Sequence, residues 1–221
     1  MNSPGLHLQN VTLRLGGRLL VAPLNVTISP GEVVTLMGES GVGKSSLLAY
    51  LCGTLPPTFT GSGQVWGDGE EVSALPPQLR RLGILFQDDL LFPHLSVGQN
   101  LAFALTSRIQ SRVERRERIE QALTRIGLAG FAERDPATLS GGQRARVSVM
   151  RVLLAEPRAL LLDEPFSKLD AATRQQFRDF VFTHVREAQL PALMVSHDPS
   201  DASAASGPVI HLPGQPLKEP S

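Results

Sequence analysis

The run Gly38-Glu39-Ser40-Gly41-Val42-Gly43-Lys44-Ser45 spaces glycines, a lysine and a serine as G-x-x-x-x-G-K-S, with Ser46 directly after it. Successive backbone N–H groups of such a loop can wrap a polyphosphate. The Lys44 ammonium can reach the outer phosphates, and the Ser45 hydroxyl can ligate Mg²⁺ at the start of a helix. The loop follows Val33-Val34-Thr35-Leu36-Met37, a β-branched run of the kind buried on both faces of a parallel sheet. Leu47, Leu48 and Leu51 then mark the inward face of a helix beginning near Lys44. With strand, loop and helix in sequence, Gly38 to Ser46 are the expected phosphate cradle. Kinases, GTPases and motor ATPases all share such a cradle, so other residues must decide among them.

Leu139-Ser140-Gly141-Gly142-Gln143 is a second candidate anion site. Ser140 is a good N-cap, Gly141 and Gly142 bare the backbone, and Ala145, Val149, Val152 and Leu153 mark a helix behind them. Further on, the apolar strand Ala159-Leu160-Leu161-Leu162 ends in the carboxylates Asp163 and Glu164. A strand's C-terminal edge is where an open α/β sheet presents groups to a ligand.

The phosphate cradle, the Leu139–Gln143 loop and Asp163-Glu164 together resemble the ABC ATPase family over nearly the whole chain. The runs Thr35–Gly38, Ile84–Asp88 and Thr138–Val147 look most like the YnjD-type bacterial group, and are similar also to thiamine, iron and polyamine importer ATPases. The resemblance implies a P-loop NTPase of ABC type: an α/β fold with a mostly parallel core sheet, an antiparallel β subdomain and an inserted helical subdomain. It implies ATP and Mg²⁺ as cofactors, with Ser45, Gln87 and Asp163 around the metal. Glu164 would polarise the attacking water, and His197, in Val195-Ser196-His197-Asp198, would contact the γ-phosphate and steady Glu164. Gln87 would sense the position of the helical region. Ser140, Gly141, Gly142, Gln143 and Asp170 would meet the nucleotide held by a second chain, so the working unit would be a dimer. Lys168, in Ser167-Lys168-Leu169-Asp170, stands where many relatives have a smaller residue. Leu15, before Gly16-Gly17, stands where the family usually stacks adenine on an aromatic ring. Its replacement predicts weaker or less base-selective nucleotide binding.

These groups need elements to carry them. Leu6, Leu8, Val11 and Leu13, then Asn25 to Ile28 before the turn at Pro30-Gly31, read as strands flanking the first motif. Leu82 to Phe86 reads as another strand, followed by a helical stretch to about Ala155. Its clearest helix starts at a capping box, Ser111 to Glu114, and carries Ile119, Ala122, Leu123 and Ile126 on one face. The mixed charges of its other face, Arg112 to Glu120, are those of a solvated surface. Strand Ala192–Val195, a helix bearing Phe177, Phe180, Val181, His184 and Val185, and a short strand Val209–Leu212 complete the pattern. The boundaries drawn are one domain, with 1–87 and 156–214 as core and β subdomain, 88–155 as helical subdomain and 215–221 as a tail. Asp88 to Asn100 resembles the stretch that lines an importer's permease groove, and its Leu91, Phe92 and Leu95 suit either that groove or plain core packing.

Composition narrows the partners. Lys plus Arg and Asp plus Glu are both 21, so no long-range field favours nucleic acid. The single cysteine, Cys52, forms no internal disulfide, and no apolar run nears the roughly 18 to 20 residues of a membrane span. A cytoplasmic chain held at the inner face of the cell membrane by integral permease subunits is expected, with a periplasmic solute-binding protein as the implied further partner. Repair or chromosome ATPases of the same family would need long coiled coils between Gly38 and Gln143, and that stretch holds no sustained heptads. An inactive nucleotide-binding regulator would have lost Lys44, Glu164 or His197, and all three are present.

Overall fold

The computed structural model describes residues 4–105 and 109–213, so the 215–221 tail lies outside the described residues. In chain order the elements are β1 (Leu6–Leu15), β2 (Arg18–Ile28), β3 (Val33–Met37), α1 (Lys44–Cys52), β4 (Phe59–Gly67), β5 (Glu70–Glu71), α2 (Pro77–Arg80) and β6 (Leu82–Leu85). They continue as α3 (Val97–Ala104), α4 (Arg112–Arg125), α5 (Gly141–Leu154), β7 (Ala159–Asp163), α6 (Ala171–Glu187), β8 (Ala192–Val195), α7 (Pro199–Ala205) and β9 (Val209–His211).

Two sheets result. One is four-stranded with order β2-β1-β4-β5, and its pairs are antiparallel; the other is five-stranded with order β6-β7-β8-β3-β9, in which β3 runs parallel to β8 and β9, and β7 parallel to β8. The near-alternation of β1 breaks between Leu8 and Val11 because the strand is bulged there, with Asn10 at φ 50° and a register shift against both neighbours. Gly63 (φ 102°) faces the bulge, where a Cβ would stand 2.5 Å from the Asn10 carbonyl oxygen. The bulge returns Val11 and Leu13 to the buried face. Strands β3, β7 and β8 are buried almost end to end, as strands covered on both faces must be.

The chain forms two compact units. The first comprises Met1–Ile84, Arg158–Glu164 and Phe182–Ser221. Its core joins Leu6, Leu8 and Leu13 of β1, Leu47, Leu48 and Leu51 of α1, and the inner faces of β3, β7 and β8. Helix α1 thus serves both sheets. Its C-terminus is closed by Gly53 in the left-handed region (φ 76°) and by the buried guanidinium of Arg80, which donates to the Tyr50, Leu51, Ser73 and Leu75 carbonyls at 2.6–2.8 Å. Burial pushes the Cys52 thiol beside it up to about 11, against the opposing pull of Arg80.

The second unit comprises Leu85–Pro157 and Pro165–Val181, the latter stretch grouped with the core by the sequence boundaries. Val97 and Leu101 of α3, Ala122, Leu123 and Ile126 around the end of α4, and Val147 and Met150 of α5 form its core. On α5 the buried residues are Val147 to Met150, which include the expected Val149, while Ala145, Val152 and Leu153 are half-buried. Ser111 does cap α4, accepting from the Glu114 amide at 3.3 Å, but the Glu114 carboxylate pairs with Arg118 instead of closing a box.

Candidate active site

Three parallel strands of the first unit end level. Leu36 of β3 and Asp163 of β7 both register against Val195 of β8. The glycine-rich loop, the Asp163-Glu164 pair and Ser196-His197 therefore leave the sheet at one edge, the edge where open α/β sheets bind ligands.

The loop from Gly38 to Gly43 reaches α1 through two left-handed glycines, Gly41 (φ 86°) and Gly43 (φ 100°). Gly43 also lets the helix start approach β2, since a Cβ there would lie 3.2 Å from Val21 Cγ2. No side chain caps α1, so its first N–H groups and the positive end of its dipole face the loop. Glu39, Ser40 and Gly41 are exposed, Val42 anchors the loop in the core, and Ser46 is half-buried behind it. Lys44, 6% exposed, folds along the loop and donates to the Gly38 and Glu39 carbonyls at 2.7 and 2.9 Å.

Ser45 Oγ donates to Asp163 Oδ1 at 3.0 Å. Burial raises the Asp163 carboxyl above the usual range, with the Ser45 hydrogen bond pulling it back and the Glu164 charge adding to the rise. These are hard oxygen donors, and among the described residues no cluster of three or more His, Cys, Asp or Glu could enclose a metal by itself. Such a sparse set fits Mg²⁺, which keeps most of its water and takes substrate phosphates as ligands.

Glu164 stands in the left-handed region (φ 47°), unusual for a non-glycine residue. Its N–H donates to the Val195 carbonyl at 3.0 Å, and its Oε2 lies 3.2 Å from His197 Nδ1. The loop carrying His197 is fixed in turn by Ser196, whose N–H donates to the Leu36 carbonyl at 3.2 Å and whose hydroxyl donates to Asp201 Oδ2 at 2.8 Å. Ser196 and Asp201 are 2% and 3% exposed. Sequence reading passed over this buried pair. Its only trace is an acid placed in the first turn of α7, behind the Asp198 cap.

Gly41, Lys44, Ser45 and Glu164 line a cleft of about 320 Å³ together with the apolar Leu15 and Phe59. Phe59 was also missed, because nothing within its own strand signals what lies opposite.

The remaining expected residues belong to the second unit. Ser140 caps α5, accepting from the Gln143 amide at 3.3 Å while Gln143 Oε1 accepts from the Ser140 N–H at 2.9 Å. Gly141 lines a cavity of about 160 Å³ with Gln87, Asp88, Arg144 and Lys168. Lys168 pairs with Asp88, and Arg144 with Asp89 at 2.9 Å, so the lysine that departs from the family pattern has a partner beside Gln87. Asp170 accepts from the Thr173 amide at 3.0 Å at the start of α6, and its hydrogen bonds with Thr173 hold its carboxyl below the ordinary range.

Sheet, loop and carboxylates define a P-loop nucleotide-binding ATPase. The model of the ABC transporter family matches residues 21–167, and the chain belongs to that family as one of its ATP-binding subunits. It is 49% identical to the ABC transporter ATP-binding protein YnjD of Escherichia coli K12, over 91% of this chain and 92% of that one. The sulfate/thiosulfate import protein CysA of Gloeobacter violaceus is 40% identical, and the Fe(3+) ions import protein FbpC of Escherichia coli O157:H7 is 39% identical. Each covers 92% of this chain, which spans 58% of the length of these two importer ATPases. Among solved structures, cbiO1 of Clostridium perfringens, part of the cbiONQ transporter complex, superposes with a TM-score of 0.82 at 28% identity, over 95% of this chain and 85% of that one. The ATP-binding cassette MJ0796, a dimer in a post-hydrolysis state with ADP and Pi, gives 0.76 at 31% identity over 94% of both chains. Among the described residues, no helix is long and apolar enough to cross a membrane.

Proposed function

We propose that the chain hydrolyses ATP with Mg²⁺ in a homodimer and thereby energises import through integral permease subunits at the cytoplasmic face of the cell membrane, served by a periplasmic solute-binding protein. The observation that carries the catalytic part is Glu164: a carboxylate in a constrained backbone conformation, braced by β8 and His197, lining one cleft with Lys44 and Ser45.

In this reading the loop amides and Lys44 bind the phosphates, Lys44 exchanging its carbonyl partners for phosphate oxygens. Ser45 and Asp163 would hold Mg²⁺, with Gln87 as the further ligand that the family resemblance implies, and the ion would offset the charge of the substrate phosphates. Glu164 orients the attacking water and accepts its proton, and His197 keeps that carboxylate aimed. Ser140, Gly141, Gly142, Gln143 and Asp170 contact the nucleotide held by the opposite chain, Ser140 standing at the start of α5, where a helix N-terminus favours an anion. Dimerisation draws support from the dimeric MJ0796, and the import direction from CysA and FbpC.

A Glu164→Gln substitution tests the core of this proposal. The variant should lose hydrolysis by about 10²–10³-fold and accumulate as an ATP-bound dimer in size-exclusion chromatography, while the wild type turns over. Equal rates for the two would remove Glu164 from its role.

A further inference from the structure

The apolar part of the cleft suggests how this chain holds a base without an aromatic at position 15. Phe59 opens β4, and Leu15 closes β1, its direct antiparallel partner. Residues directly opposite across an antiparallel pair project on the same face of the sheet, about 5 Å apart at Cβ. Phe59 therefore stands on the cleft side of the sheet beside Leu15, and both line the cleft that also contains Lys44 and Ser45. Leu20 of β2 extends the same apolar wall.

Two further features fit Phe59 for contact with a ligand. Its backbone is fixed where the strand begins, with its N–H donating to the Pro56 carbonyl at 3.0 Å. Its ring takes no part in the ring pairs formed by Phe166 with Phe177, Phe177 with Phe180, or Phe92 with Phe103. The cleft is thus polar and cationic at its loop end and apolar, with a half-buried aromatic ring, at the sheet end. A nucleoside triphosphate has the matching polarity.

We propose that Phe59 is the base platform of this chain, an aromatic supplied from the strand opposite Leu15, and that it selects purine nucleotides by stacking. This rests on the nucleotide reading of the cleft. It replaces the expectation that Leu15 leaves the base weakly held: the aromatic has moved across the strand pair, and Leu15 flanks it. Stacking depends on ring area and does not read the base edge, so ATP and GTP bind alike and pyrimidine nucleotides bind less well.

The test measures binding of ATP, GTP, CTP and inorganic tripolyphosphate, each with Mg²⁺, to the full chain by calorimetry. Phe59→Leu should weaken ATP and GTP about ten-fold and leave tripolyphosphate within about two-fold. Phe59→Trp should match or exceed wild type, and adding Leu15→Tyr to Phe59→Leu should restore ATP affinity from the other strand. ATP affinity unchanged in Phe59→Leu, or tripolyphosphate lost in equal measure, overturns the proposal. A wild-type chain that binds neither ATP nor tripolyphosphate overturns the nucleotide reading itself, and this inference with it.

Discussion

Glu164 combines the carboxylate proposed to orient the attacking water with a backbone conformation that resists being there. A left-handed φ on a non-glycine residue costs on the order of 1 kcal/mol and persists only where its surroundings determine it. Here they do, through the Val195 carbonyl and the His197 ring. His197 is more than half exposed and so cannot orient itself by packing. Its loop is oriented through Ser196, and Ser196 through the buried Asp201. Replacing Asp201 with Ala leaves the Ser196 hydroxyl without that acceptor and frees the loop. The expected result is a roughly ten-fold lower kcat with ATP affinity changed by less than about two-fold, because supports of this kind act on alignment rather than binding. A matching loss of ATP affinity would mean that Asp201 only stabilises the fold. The contrast between Glu164 and Asp201 also shows what a sequence discloses about a site. Glu164, Lys44 and Ser45 were legible because each sits in a contiguous motif at the end of a strand or the start of a helix. Asp201 acts through a hydrogen bond five residues back, and Phe59 through a partner on another strand, so neither lies in a readable pattern.

Elements were legible where one physical signal dominated. β3 with its loop and α1 reads from a β-branched run, glycines and a leucine face, and β7 and β8 from unbroken apolar runs. β1 keeps Leu6, Leu8, Val11 and Leu13 buried although its bulge at Asn10 interrupts strict alternation, and α5 follows Ser140 with Val147 and Met150 set deeper in its core than Val152 and Leu153. The four-residue α2 gave no periodicity at all, yet it delivers Arg80 to the end of α1. Arg80 is 7% exposed and satisfies four carbonyls, two of them in the last turn of α1. Arg80→Met keeps the stem's volume but strips those carbonyls of their donor. The expected cost is about 3 kcal/mol, a Tm lower by roughly 6–12 °C, read by thermal melts at matched protein concentration. Gly53 shares the constraint, since its left-handed φ and a Cβ position only 2.8 Å from Arg80 Nε exclude a larger residue there. Because α1 also begins at the phosphate loop, loosening its far end should raise the ATP concentration needed for half-saturation.

At the scale of the whole molecule, the glycine-rich loop leads into α1 in one compact unit and Ser140 caps α5 in the other. In the proposed homodimer each ATP lies between the loop of one chain and Ser140 to Gln143 of the other, so a single chain contributes half of two sites. That arrangement makes a prediction that no self-sufficient monomer shares. Lys44→Ala spoils the cradle of its own chain, and Ser140→Arg spoils the loop presented to the partner, so each variant alone should be inactive. A mixed dimer places both faults in one site and leaves the other intact. Equal mixing makes about half of all dimers mixed, each with one of two sites working, so the mixture should recover about a quarter of the wild-type rate. If each chain completed its own site, mixing would restore nothing, because every site would still carry one fault. Steady-state ATPase assays of the two variants, separately and after co-incubation with ATP, distinguish these outcomes. Recovery that disappears on dilution below the dimerisation range would tie the rescue to association of the chains and not to an exchange of damaged protein.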